Sequence, residues 1–466
     1  MQIRQRDLDL EDSQERGIFA RIAYGVGDFG PSMAGNTLMV FFCFFLTTQA
    51  GLSPALAGII LCLSNGWSAI STLLIGILSD RTQSRWGRRR IWLVGSAPLL
   101  ATSFLLHWWI PPWQTGMQFV YFLGVALLFQ TAGNAFTIPY GALLTELTND
   151  QEEHLRLNGF RFGFSLSGCL GSLLLAQAIN HWSSQPQQQM MILGSIGAIV
   201  IVGSILCCCW GTAEQPSTNL SQPKTTPLNL NALLNNRPLI LLSGIYAFSW
   251  MALQITPTVL PYFIVNCLNL QTSAIPTIVV LVQGTALLSL ILWEWLSRQL
   301  GKKVVFGLGT SLWILATLGL IDLQPGQLPL LYELAILMGL GMSTVYLVPL
   351  SLLPEVADLD EQVSGQRREG LLYSILVFLQ KIALALGLFI VGQLLAGSGF
   401  QEAIPGPVQL LQPRSALTMI RAITVVIPVI SLLTSLLLMS LYDSKAIGWN
   451  RVPQLRRATA SNSNSG

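Results

Sequence analysis

Apolar stretches long enough to cross a lipid bilayer, which takes about 20 residues of helix, recur along almost the whole chain. They fall at 22–48, 54–79, 91–110, 117–146, 159–180, 189–210, 238–266, 273–296, 303–322, 328–353, 371–396 and 415–442. Only 10% of the residues are charged, against roughly 25% in a soluble domain, so a water-facing surface could not be covered. The pattern predicts an all-α membrane protein of twelve transmembrane helices. Pro31, Pro98, Pro139, Pro257, Pro261 and Pro349 lie inside these runs. Neighbouring helices can re-satisfy the backbone groups that such prolines free.

Lys and Arg set the orientation. One set of span ends and loops collects Arg81, Arg85, Arg88, Arg89, Arg90, Arg156, Arg237, Arg298, Lys302, Lys303, Arg367 and Arg368, and both tails add more (Arg4 to Arg21, Lys445 to Arg457). The opposite loops hold Arg414, with Arg421 just inside the last span. This asymmetry predicts cytoplasmic termini. Trp108, Trp109 and Trp113 fall where an interfacial aromatic belt would lie. The longest internal loop, 211–237, is polar and reads as a linker, giving an N-terminal half (1–210), a C-terminal half (238–442) and a disordered tail (443–466). The first seventeen residues are polar and mixed in charge, unlike a cleavable signal peptide. A net charge of +3 gives no reason to expect a nucleic-acid partner. Seven cysteines within or beside apolar runs are an odd number with no polar loop framework. They read as small buried hydrophobes rather than a disulfide scaffold, although Cys207, Cys208 and Cys209 could carry a lipid at the membrane edge.

The halves echo each other. Leu78-Ser79-Asp80-Arg81…Gly87-Arg88-Arg89-Arg90 follows span two, and Leu296-Ser297-Arg298…Gly301-Lys302-Lys303 follows span eight. Ile138-Pro139 with the acidic stretch 146–153 matches Val348-Pro349 with 355–361. A parallel repeat of six spans predicts a major-facilitator architecture with a solute site between the halves near the midplane. Asp80 at a helix end can pair with Arg88, Arg89 or Arg90 and hold two helices together. Asp80, Arg81, Arg88, Arg89 and Arg90 are therefore gating candidates, unless the arginines serve topology alone.

The loop Asp80-Arg81-Thr82…Arg85-Trp86-Gly87-Arg88-Arg89-Arg90-Ile91-Trp92 resembles that of the glycoside–pentoside–hexuronide:cation symporter family. Tyr24-Gly25-Val26-Gly27-Asp28-Phe29-Gly30, Ile138-Pro139-Tyr140 and Gly370-Leu371-Leu372-Tyr373-Ser374 leading to Lys381 resemble the same family. The resemblance covers nearly the whole chain. It implies alternating-access transport of a small organic solute, a sugar, glycoside or sugar acid. The short loops and compact length point to a bacterial plasma membrane, and a monomer without a cofactor is expected. A proton or sodium ion would be the coupling ion. A lysophospholipid-like amphiphile is the alternative solute. A non-transporting accessory protein of the same fold is the alternative of another class, and would show one fixed pattern of cysteine accessibility rather than two.

Lys381 lies about ten residues into span eleven. A charge there costs about 3 kcal/mol on insertion scales, so it should face a polar cavity or a partner, and the resemblance places it in the substrate and cation region. Arg161, just inside span five, resembles an arginine that contacts the sugar, or it snorkels to the interface. Asp28 is a counter-ion or proton carrier, or an acid that packs helices. Where the resemblance implies acidic residues, this chain has Ser32, Ser68, Thr72 and Thr137, with Asn134 at a further cation-ligand place. Hydroxyls and carbonyls without a carboxylate bind a bare cation weakly, which puts sodium coupling in question. Leu376 and Val377 add apolar lining, and Trp67, Trp250, Tyr346 and Gln380 could stack or hydrogen-bond. Such a cavity suits a solute with an anionic group. The chain has no phosphate-binding loop, no zinc-binding His-Glu-x-x-His helix and no Ser–His pair. No enzyme and no metal are expected. His107, His154 and His181 sit near span ends and read as interfacial.

Overall fold

A computed structural model describes residues 18–82, 84–85, 87–147, 151–179, 182, 185–212, 236–364, 369–402 and 412–442. Most of the linker, the two tails, Trp86, His181, Arg367 and Arg368 lie outside the described residues, as do the side chains of Glu146 and His154. The described chain is helical: α1 (Ile18–Thr48), α2 (Pro54–Arg81), α3 (Arg90–Leu106), α4 (Thr115–Leu147), α5 (Gln151–Ile179) and α6 (Pro186–Gly211). After the linker come α7 (Arg237–Tyr262), α8 (Ala274–Leu300), α9 (Lys302–Leu318), α10 (Leu328–Ser351), α11 (Leu353–Ser364), α12 (Glu369–Gly397) and α13 (Arg414–Leu441). Ten of these segments are long and apolar enough to cross a membrane. The 17-residue α3 and α9 complete two sets of six.

Packing repeats between the sets. α1 lies on α5 and α6 as α7 lies on α12 and α13, α2 packs on α4 as α8 does on α10, and α3 packs on α4 and α6 as α9 does on α10 and α13. The echo in the loops is structural as well. Gly87 (φ 98°) and Gly301 (φ 85°) occupy corresponding turns in the left-handed region, where a Cβ would be strained. Gly301 ends α8 and starts α9 without a loop between them.

Helix starts follow local chemistry. Ser53 Oγ accepts from the Leu56 amide at 3.3 Å and Asn236 Oδ1 from the Leu239 amide at 3.2 Å, each with proline next in the first turn, the usual N-terminal signature. Within α1 the helix breaks at Gly27 and Asp28, and Pro31 falls in the first turn of the segment beginning at Phe29, where its missing N–H costs nothing. Helix α5 starts eight residues before the expected 159, because its polar first two turns are helical outside the apolar span. There the Arg21 guanidinium donates to both carboxylate oxygens of Glu153 at 2.6 and 2.7 Å. The acidic stretch after span ten forms the separate α11. Its Glu355 accepts from Lys302 at 2.7 Å, and its Asp360 from Asn236 at 3.0 Å.

Three expectations are corrected. His107 and Trp108 are buried, at 1% and 0% exposure, because Phe42 and Phe129 pack edge-on to the imidazole and Phe45 and Phe104 to the indole. Trp109 and Trp113 stay exposed, as a belt requires. All seven cysteines are free, but Cys207 is exposed, one turn from the exposed Trp210 on the outward side of α6.

The halves meet through α2 with α12, α1 with α7 and α5 with α8. We call the end of the bundle carrying Asp80–Arg90, Arg298 and Lys302 the basic face, and the opposite end the far face. Toward the far face Tyr262 donates to the Cys43 carbonyl at 2.8 Å and shares a 2.7 Å bond with Thr47 Oγ1. Nearby, Gln393 donates to the Ala55 carbonyl at 3.4 Å. Gly58 and Gly392 bring the α2 and α12 backbones into direct contact.

Candidate functional site

Near the middle of α2, α4 and α12 a polar cluster crosses from one half to the other. The Lys381 ammonium donates to Thr72 Oγ1 at 2.8 Å, Ser68 Oγ at 2.9 Å, Asn134 Oδ1 at 3.3 Å and the Ser68 carbonyl at 3.4 Å. At 1.5 Å per residue it sits about 18 Å from the start of α12, too deep to snorkel. Asn134 is held in turn: its amide nitrogen donates to Ser71 Oγ at 2.7 Å and to the Ser68 carbonyl at 2.9 Å. Four of the sequence candidates thus share one cluster, together with Ser71, which the sequence reading passed over. None of the partners that Lys381 contacts among the described residues is a carboxylate.

A second cluster lies in the N-terminal half. Arg161 Nε donates to Asp28 Oδ2 at 3.0 Å, and both side chains are largely buried. Ser32 Oγ reaches Asp28 Oδ1 at 3.4 Å and shares a 2.6 Å bond with Ser165. The break in α1 makes this possible. Asp28 caps the segment from Phe29 without spending its side chain on the cap, and an acid there is favoured by the helix dipole. The guanidinium also lies 4.9 Å from the Tyr140 ring centroid, a cation–π distance. Tyr140 stacks on Tyr24 at 4.7 Å, and each phenol donates to the other's backbone carbonyl. Two motifs 116 residues apart thus meet. Arg161 is therefore an ion-paired residue rather than a snorkelling one.

This pair has a testable energetic signature. Removing one partner of a buried ion pair costs about 3–5 kcal/mol, because the other charge is left unpaired. Asp28→Ala is expected to lower the unfolding temperature strongly, and Asp28→Ala/Arg161→Ala less than the sum of the single changes. Additive losses in the thermal-unfolding cycle would mean that the two do not interact.

The aromatic candidates separate. Trp250 and Tyr346 meet edge-on at 5.7 Å across α7 and α10, and the buried Trp250 Nε1 has no hydrogen-bond partner among the described residues. Trp67 instead donates to Thr131 Oγ1 at 2.8 Å within its own half. Thr137 is exposed. Neither Thr137 nor Gln380 is among the groups that Lys381 contacts. A polar link missed in the sequence joins α1, α5 and α8: Gln283 donates to Asn36 Oδ1 at 2.9 Å, and Asn36 donates to Ser172 Oγ at 3.0 Å.

At the basic face Arg89 is the arginine that clamps α2 to α3. Its guanidinium donates to Ser79 Oγ at 2.6 Å and Asp80 Oδ1 at 2.7 Å, with Arg88 farther off at 3.6 Å. Arg81 is exposed, and the buried Arg90 Nε finds no partner among the described residues. Asp80 is itself 60% exposed, so solvent screening keeps the pair to about 1 kcal/mol or less. Asp80→Asn is expected to lower the unfolding temperature by no more than a few degrees while changing transport rate more. A large loss of stability with an unchanged rate would contradict a gating role.

Among the described residues, two matched sets of six helices, ten of them long and apolar enough to cross a membrane, meet at a polar centre and define a membrane transporter of the major-facilitator class. The chain belongs to the MFS/sugar transport protein family, whose model matches residues 23–445. It is 36% identical to an uncharacterised symporter of Synechocystis, over 91% of this chain and 93% of the relative. It is 25% identical to the sodium-dependent lysophosphatidylcholine symporter 1 of Xenopus tropicalis (91% and 87% covered) and 27% identical to a glucuronide carrier protein homolog of Escherichia coli (81% and 83% covered). The solved nucleoside transporter NupG shares the fold, with a TM-score of 0.65 at 15% identity over 92% of this chain and all of that one.

Proposed function

We propose that the chain is a secondary transporter for a small organic anion, with a sugar acid as the first choice of solute. The observation that carries this reading is the Lys381 cluster, a cation in the middle of the bundle whose contacts are neutral oxygens. Arg161 adds a second cation, balanced by Asp28. An unbalanced ammonium at the seam between halves suits a carboxylate or phosphate arriving with the solute. The glucuronide carrier relative is consistent with a sugar acid. By the distribution of Lys and Arg, the basic face and both termini are cytoplasmic, in a bacterial plasma membrane.

A lysophospholipid-like amphiphile is the second reading. It is supported by the lysophosphatidylcholine symporter relative and by an apolar cleft between α1, α5, α6 and α8, lined by Phe41, Phe44, Phe45, Met190, Leu193 and Ile275 among others.

Thermal unfolding of the purified protein against neutral glycosides, sugar acids and lysophospholipids tests both readings. A ligand at a hundred times its dissociation constant stabilises the native state by about 2.7 kcal/mol. Stabilisation by sugar acids is the expected result. A response to lysophospholipids alone would select the second reading, and a response to neutral glycosides alone would sink the charge argument.

A further inference from the structure

We propose that the Lys381 ammonium is the resident cation of the oxygen cluster on α2 and α4, so that this transporter cycles without sodium. The inference rests on the transporter reading above but concerns the coupling ion. It sets this chain apart from its sodium-dependent relative.

The cluster has the arrangement of a cation site. Thr72 Oγ1 turns its proton to the Ser68 carbonyl at 2.7 Å, which leaves its lone pairs free for Nζ. Ser71 Oγ also lies within reach of that carbonyl, at 3.3 Å. The Asn134 amide nitrogen is taken up by Ser71 and Ser68, which fixes the amide plane and points Oδ1 at Nζ. Lone pairs from three side chains and one carbonyl therefore converge on one point, and the ammonium occupies it.

An ammonium carries three N–H donors and no acceptor, one for each of the three side-chain oxygens, so it can fill the site without losing a hydration shell anew in each cycle. A free sodium ion would have to give up its water for uncharged oxygens while sharing the site with a fixed positive charge. Without a carboxylate among these contacts, nothing offsets that repulsion. The cation is also tethered: its oxygens belong to α2 and α4 of one half and the lysine to α12 of the other. When the halves rock apart, the ammonium leaves with its own half and can pair with the anionic solute. When they close it returns, and no ion is released to either side.

The test is a sodium titration of the purified, ligand-free protein, read as unfolding temperature, with choline at matched ionic strength as the control. Wild type is expected to respond identically to the two salts. Lys381→Met/Thr72→Asp, which removes the tethered cation and supplies a carboxylate, is expected to gain a saturable, sodium-specific upward shift. Lys381→Gln/Ser68→Asp does the same from a second position should the first variant fail to fold. A saturable sodium-specific shift in wild type, lost in Thr72→Val, overturns the proposal. So does a folded double variant that ignores sodium, because the cluster would then not be a cation site. The ligand panel stands apart from this result. A protein blind to sodium but stabilised by sugar acids keeps both inferences, whereas one blind to sodium and to every solute loses only the choice of substrate.

Discussion

In Lys381→Ala, anionic solutes are expected to bind about 10- to 150-fold more weakly than in wild type, with folding retained. A hydrogen bond to a charged group is worth about 1.5–3 kcal/mol, and each 1.4 kcal/mol is a factor of ten in affinity. Folding should survive because, among the described residues, the deleted charge has neutral oxygens as its partners. Its loss therefore strands no counter-charge in the bundle. Asn134, Ser68, Ser71 and Thr72 keep their bonds to one another. Lys381→Arg should recover part of the affinity, since a planar guanidinium restores the charge but not the compact shape that fits between Thr72 and Asn134. Calorimetric titration with the best ligand of the panel measures all three proteins. Equal affinity in wild type and Lys381→Ala would remove the lysine from the binding site.

Gly392→Val is expected to hold the far face open and to cut transport in proportion. A Cβ on Gly392 would lie 2.6 Å from the Pro54 carbonyl and 2.7 Å from Gly58 Cα, and one on Gly58 would lie 2.9 Å from Gly392 Cα. These are backbone atoms, so no side-chain rotation relieves the clash and the two helices must separate. Overpacking of this kind costs about 1–3 kcal/mol. The far-face seam is where that cost falls, so the conformer with this seam closed should lose population by about 5- to 150-fold. A cysteine at Ala55, in a background with the exposed Cys207 replaced by serine, reads the change through its labelling rate by a membrane-impermeant thiol reagent. Faster labelling in Gly392→Val is the expected result. Unchanged labelling with normal transport would show that the close approach is incidental to the cycle.

Much of the fold was legible because lipid imposes a simple rule: a crossing segment must be apolar and must satisfy its backbone internally. Hydropathy therefore found the spans. It erred where helix continues beyond lipid, as in the polar start of α5 and in α11, since apolar content marks the solvent rather than the hydrogen-bond ladder. The paired turns at Gly87 and Gly301 were visible as a repeat, but their left-handed backbone was not.

The site was legible residue by residue and illegible as a constellation. Lys381, Ser68, Thr72 and Asn134 each stood out as polar groups in apolar runs or at places a related family fills with acids. Yet Lys381 and Thr72 are 309 positions apart, and no local pattern reports a contact between halves. The pairing of Arg161 was hidden for the same reason, because its partner Asp28 lies 133 positions away. Asn36 and Gln283 could have been found by the rule that singled out Lys381: an amide inside a membrane span requires a partner.

The unpaired indole of Trp250 gives this bundle a built-in optical reporter. With its N–H buried, unshared among the described residues and set beside Tyr346, the indole should emit toward the blue. A solute that offers the ring an acceptor, or water admitted as the halves move, would shift that emission to longer wavelength. With the other tryptophans replaced by phenylalanine, the colour of one side chain would follow the movement of the halves in real time, without any added label.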